Sequence, residues 1–284
     1  MRLDGRRTSN NVDDRRGKGS SGKISLGIGG TIIVALIVWF MGGNPLDFVS
    51  QQAVDGLTTE KNYTPTAAEE KAATFAKTIL AGTEDVWTEI FKQNNLKYTP
   101  PRMVLFSGST QSGCGNASSS TGPFYCPVDQ TVYIDLSFFN QMEKQLNAGG
   151  DFAYAYVIAH EVGHHVQNLL GTLDKVHQQQ QRVSEKESNQ LSVRIELQAD
   201  FYAGVWAYHD NKDFSSLEDG DIEEGLNAAT QIGDDRLQMQ SQGYTVPDAF
   251  NHGTSVQRTR WLKKGLQTGN MSNGDTFSIP YSQL

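Results

Sequence analysis

Residues 151–171 read DFAYAYVIAHEVGHHVQNLLG. Asp151 can cap a helix over Phe152–Leu170 and Gly171 can end it. Within that helix His160-Glu161-Val162-Gly163-His164 is an H-E-x-x-H. His160 and His164 are one turn apart on the same face, so both imidazoles can meet one metal ion. Glu161 sits beside them, placed to take a proton from water at the metal rather than to bind it. Gly163 keeps the face uncluttered. Tyr154, Val157, Ile158 and Val166 make the helix largely apolar, which implies burial. Two unpaired imidazoles in such a setting would be costly, so a role as mere surface histidines fits poorly.

A catalytic zinc wants three protein ligands and an open position. A metzincin would place glycine at 167 and histidine at 170, where this chain has Gln167 and Leu170. Downstream, Arg194-Ile195-Glu196-Leu197-Gln198-Ala199-Asp200 lies in a second helical stretch running to about Tyr208. Glu196 and Asp200 are i,i+4 and share a face, and Ala199 and Ala203 are small enough for close approach to the first helix. Glu196 can then be the third ligand, with Asp200 orienting a ligand histidine from behind. A solvated Glu/Asp pair on a polar helix surface is the alternative. Two histidines and one carboxylate fit a single Zn2+ best.

Upstream of the motif helix the signals are mixed. Thr66-x-x-Glu69 has capping-box spacing and opens a helix carrying Ala72, Phe75, Ala76, Ile79 and Leu80, with a further helical stretch around Asp85–Gln93. Met103–Phe106 reads as a short buried strand, residues 107–124 as a Gly/Ser/Thr-rich loop, and Thr131–Phe138 as the strongest strand, with an edge open to an extended peptide. Asp129 and Asp135 read as turn and solvent-facing residues, and His177–Gln190 as a solvated helix or mobile connection between the two motif helices. Cys114 and Cys126 are twelve positions apart and most simply form a disulfide. The competing role is a deformylase-like one, with Cys114 as an upstream metal ligand.

The chain has 284 residues, 24 basic and 32 acidic, for a net charge of −8. That balance argues against nucleic-acid binding, and two cysteines cannot staple a disulfide scaffold of this length. The charge is uneven: residues 1–23 carry seven Lys/Arg against three Asp, while the rest carries 17 against 29. Between them residues 24–43 read ISLGIGGTIIVALIVWFMGG, twenty residues without a charge. A helix of that length spans ~30 Å, the thickness of a bilayer core. These features predict a basic disordered cytoplasmic tail (1–23), a single transmembrane helix (24–43), a linker (44–65) and an extracytoplasmic domain (66–284), periplasmic in a Gram-negative source. The predicted class is α+β, a membrane-anchored domain with a mostly helical C-terminal half.

H-E-x-x-H followed by E-x-x-x-D is similar to the glutamate-zincins, and E-x-x-A-D resembles the HtpX-type peptidases. More specifically, GPFYCPVDQTVYIDLSFF, VIAHEVGHHVQ, RIELQADFYAGVW and HGTSVQRTRW resemble the bacterial neutral zinc metallopeptidase family, the YpfJ-like proteins, over nearly the whole chain. The resemblance implies a zincin-like core, a zinc cofactor, a protein or peptide substrate, and metal-site roles for His160, Glu161, His164 and Glu196. His252 opens a segment resembling the histidine-containing stretch downstream of the ligands in related membrane zincins, which makes it the candidate oxyanion donor. The rival from another class is a non-catalytic, zinc-stabilised scaffold that binds partners. An intact Glu161 argues against it.

Overall fold

The computed structural model describes residues 1–17 and 63–284. In chain order its elements are β1 (Val12–Asp14), α1 (Ala67–Gln93), β2 (Arg102–Phe106), β3 (Ser109–Ser112), β4 (Gly115–Ser118), β5 (Phe124–Cys126) and β6 (Thr131–Asp135). Seven further helices follow: α2 (Ser137–Leu146), α3 (Asp151–Leu169), α4 (Thr172–Gln180), α5 (Glu185–Phe214), α6 (Asp221–Gln231), α7 (Asp234–Gln242) and α8 (Ser255–Thr268). Mixed sheet and helix, with helices filling the C-terminal half, is the architecture the sequence predicts.

The four-stranded sheet has the order β1-β2-β6-β5, parallel except for the antiparallel β5–β6 pair. Alternation along β2 and β6 gives the sheet two buried faces. Met103, Leu105, Val132 and Ile134 join the large helical core. Val104, Phe106 and Tyr133 point the other way, against Ala117 and Cys126. That second cover is the β3–β4 hairpin, formed within the stretch expected to be loop. Its serines, threonines and asparagines carry no apolar alternation. The hairpin is held by side chains and a covalent link instead: Asp135 accepts from Gly108 N and Ser119 Oγ, and Cys114 is disulfide-bonded to Cys126. Asp135 is therefore buried, not solvent-facing. The strand predicted over Thr131–Phe138 stops at Asp135 and lies between β2 and β5, so it offers no free edge.

Helix boundaries follow local chemistry where caps exist. Thr66 and Glu69 form the expected capping box, and Ser184/Glu187 and Thr254/Gln257 repeat it on α5 and α8. The two helical stretches predicted between residues 66 and 93 are one helix of 27 residues; Ala76 to Val86 are mostly buried, and that burial outweighs the ~1 kcal/mol that Gly82 costs mid-helix. For α3 the N-cap is Gly150 rather than Asp151, and Glu224 of α6 reaches over to accept from Phe152 N.

The membrane reading is corrected by the N-terminal residues. Among the described residues no helix is long and apolar enough to cross a membrane, and the span expected at 24–43 lies outside them. The basic leader, expected as a disordered tail on the opposite side of a bilayer, is docked on the domain. β1 extends the sheet beside β2, with Val12, Asp13 and Asp14 opposite Met103, Val104 and Leu105. Arg6 forks onto the buried Asp210 of α5 at 2.7 and 2.9 Å, with its guanidinium stacked 3.9 Å from the Phe214 ring centroid. Arg7 pairs with Asp85 at 2.6 Å, and Arg16 with Glu70 at 2.9 Å, both on α1. Tyr63, where the described chain resumes, lies against Gly17, where it breaks off. A single crossing between these two points would put hydrogen-bonded partners on opposite sides of a membrane. The charge asymmetry has a different cause: a basic arm seated on an acidic body.

Candidate metal centre

α3 and α5 cross where side chains are smallest. A Cβ on Gly163 would stand 2.9 Å from the Ala199 carbonyl oxygen and 3.1 Å from its Cα, so only glycine allows this approach. The contact brings Glu196, one turn before Asp200 on α5, to the two histidines of α3. His160 Nε2 is 3.1 Å from Glu196 Oε2, and His164 Nε2 is 3.5 Å from Glu196 Oε1. One ligand atom from each of the three residues lies within 4.8 Å of the others. Tetrahedral zinc with bonds of 2.0–2.1 Å sets its ligand atoms about 3.4 Å apart, so the donor set and its spacing fit the ion.

Both imidazoles are held from behind. His160 Nδ1 donates to Asp200 Oδ1 at 2.8 Å, and the same carboxylate receives Tyr156 Oη at 2.6 Å and two Arg258 N–H groups at 2.9 Å. Asp200 and Arg258 are both buried. Arg258 reaches Asp200 because α8 packs tightly on α5: a Cβ on Gly204 would fall 2.3 Å from the Leu262 carbonyl oxygen. His164 Nδ1 faces Gln167 Oε1 at 2.9 Å.

Charges in the pocket reinforce one another. Burial alone would raise the Glu196 carboxyl, but the His164, His160 and His252 imidazoles hold it well below the usual carboxylate range. Burial also works against charge on Asp200, and Arg258 and His160 overcome it, again lowering the pKa. For His160 desolvation opposes protonation, yet Asp200 and Glu196 raise its pKa to about 10 in the metal-free site. A metal must therefore displace a proton to bind.

The family model described as "Putative neutral zinc metallopeptidase" matches residues 1–277. The chain belongs to this zinc metallopeptidase family. It is 49% identical to YpfJ of Escherichia coli strain K12 over 286 aligned positions, covering 98% of this chain and 99% of that one. Mb2605 of Mycobacterium bovis is also 49% identical, over 191 positions and 64% of each chain. No solved structure matches.

His252 stands in the loop before α8 with its side chain 40% exposed, and its Nδ1 is 3.2 Å from Asp234 Oδ1. Asp234, at the start of α7, also accepts backbone N–H groups of Asn251, His252 and Gly253 at 2.7–2.9 Å and so fixes the loop. Burial disfavours a charged His252, but Asp234 and Glu196 raise its pKa overall. Cys114 and Cys126 consume each other's sulfur, which leaves the deformylase-like role without a thiolate. Tyr202 packs edge-on against Trp87 in the core, and Tyr208 is exposed. His165 is buried against Tyr125 of the edge strand β5, and His209 bonds the Gly269 carbonyl.

Tyr156, Gln167 and Asp234 carry roles that the sequence reading did not give them. Gln167 had a detectable signal, its i+3 spacing from His164. Asp234 had none, because its link to His252 is made by folding.

Proposed function

We propose that this chain hydrolyses peptide bonds at one Zn2+ held by His160, His164 and Glu196, with Glu161 as general base. The observation that carries the reading is the convergence of two Nε2 atoms and one carboxylate, each imidazole having its other nitrogen occupied by an acceptor. When bound, Zn2+ supplies Lewis acidity toward the scissile carbonyl and brings the pKa of water toward ~7. Glu161 takes the proton of the attacking water and passes it to the departing amide nitrogen. His252, whose raised pKa favours the imidazolium with Nδ1 donating to Asp234, has a second N–H at Nε2 to offer the oxygen that gains charge; losing such a donor costs about 10²–10³ in rate. Asp200, clamped by Arg258 and Tyr156, keeps the Nδ1 proton of His160 in place, so that Nε2 is the nitrogen that gives up its proton to a metal.

The test is cleavage of casein and of unstructured peptides by wild type and Glu161→Gln, with zinc content matched. Wild type should cleave, and the variant should keep its metal while losing at least ~10²-fold in rate. Equal rates would sink the general-base role. No cleavage by either, with zinc bound, would favour the non-catalytic scaffold.

A further inference from the structure

The two histidines are held from behind by different chemistry. Behind His160 stands a charged clamp, Asp200 with Arg258. Behind His164 there is one neutral amide, Gln167, whose side chain is fully buried. An amide has a donor end and an acceptor end, so its orientation decides what His164 must offer. That orientation is set by the backbone. Gln167 Nε2 lies 2.7 Å from the Ile195 carbonyl oxygen, which can only accept, and 3.1 Å from Gln198 Oε1. Gln198 is turned the same way, since its own Nε2 donates to the Gly274 carbonyl at 2.8 Å. With both donors of Gln167 directed at α5, Oε1 is left for His164 Nδ1 at 2.9 Å. Nδ1 must then carry a proton, which leaves Nε2, on the side of Glu196, as the nitrogen available to a metal.

We propose that Gln167 is the positioning residue of His164: it converts the fixed direction of the Ile195 carbonyl into the imidazole tautomer that a metal requires. Ile195 directly precedes Glu196, so one side chain indexes a ligand of α3 to the ligand-bearing turn of α5. The inference rests on the zinc reading for its purpose, though the tautomer itself can be read without metal.

Three variants of the full chain test it. Gln167→Leu keeps the size of the side chain and removes the acceptor. Gln167→Glu keeps the acceptor and loses the donors to α5. Gln198→Leu breaks the outer link and leaves the bond to His164. Zinc affinity, measured by competition with a chelating dye, should fall 10–100-fold in Gln167→Leu, stay within about threefold of wild type in Gln198→Leu, and fall by less than in the leucine variant in Gln167→Glu, which keeps the acceptor for His164 but turns an oxygen onto two acceptors of α5. If Gln167→Leu and Gln167→Glu lose zinc equally, in step with their loss of metal-free stability, Gln167 is packing only and the proposal fails.

A second measurement covers a leucine variant that does not fold. The His164 Nδ1 proton, observed by 15N-edited NMR, should be slow to exchange in wild type and move downfield in Gln167→Glu, where the acceptor gains charge. A resonance unmoved by that change overturns the assignment. A wild type that takes up no zinc would instead sink the metal centre, and the Nδ1 proton would still decide Gln167.

Discussion

His164 and His165 are chain neighbours with opposite duties. His164 turns Nε2 toward Glu196, whereas His165 lies off that face and is locked between Thr99 and Tyr125. The Thr99 carbonyl accepts from Nε2 at 2.7 Å and Tyr125 Oη faces Nδ1 at 2.9 Å, so the ring is neutral. Burial lowers its pKa below the ordinary 6.5, with the Thr99 bond pulling the other way. For a histidine whose folded pKa is depressed, the unfolded chain binds more protons below 6.5, so its stabilisation is complete above that value and is lost as pH falls. With chelator present, wild type should therefore lose its stability advantage over His165→Gln between pH 7.5 and 5.5, as read from urea unfolding. A gap that stays constant over that range would contradict the assignment. The i,i+4 spacing of His160 and His164 and the one-residue offset of His165 were legible in the sequence, because helical periodicity is local. The duty of Gln167 was not, since it depends on a carbonyl 28 residues away.

Among elements, the contact of α3 with α5 decides whether a site exists, and Gly163 sits at its tightest point. On an exposed helix Gly→Ala would stabilise by ~1 kcal/mol. Here the added carbon would meet the Ala199 backbone at 2.9–3.1 Å, and forcing packed elements apart costs typically 1–3 kcal/mol. The second effect should win. Gly163→Ala is expected to be less stable than wild type and to bind zinc more weakly, because separating the helices moves His164 away from Glu196. A stabilised variant with unchanged zinc affinity would show that the approach is looser than drawn. Small residues at 163, 199 and 203 signalled this crossing in the sequence. The β3–β4 hairpin sent no comparable signal. Its pairing depends on Asp135 and on a disulfide to Cys126, partners that lie outside the hairpin itself.

At the scale of the whole molecule, the basic arm closes the sheet edge beside β2 and pins α1 and α5, the latter carrying Glu196. Removing Arg6 would strand the carboxylate of Asp210, which has no solvent exposure. Arg6→Ala is thus expected to cost about 3–5 kcal/mol, the range for breaking a buried pair. Arg2, whose contact with Glu218 is exposed on both sides, should matter by under ~1 kcal/mol when changed to Ala. Urea unfolding of the two variants separates a docked arm from a loose one: near-equal, small effects would mean that the arm is not part of the folded unit. The same composition reads two ways. A basic leader before an apolar run matches the charge bias of a membrane anchor, and it also matches a strand with an acidic seat. Only the positions of Asp210, Asp85 and Glu70 tell them apart.

What the sequence determined by itself was whatever depends on neighbours within a few turns: the capped helix bearing H-E-x-x-H, the Glu196/Asp200 face, and the motifs shared with a zinc metallopeptidase family. Tertiary structure alone decided which edge of the sheet is closed, on which side of the domain the arm lies, and which groups hold the Nδ1 atoms of His160 and His164. Those properties rest on groups far apart in the chain, and a hydrogen bond or ion pair between them leaves no periodicity to read.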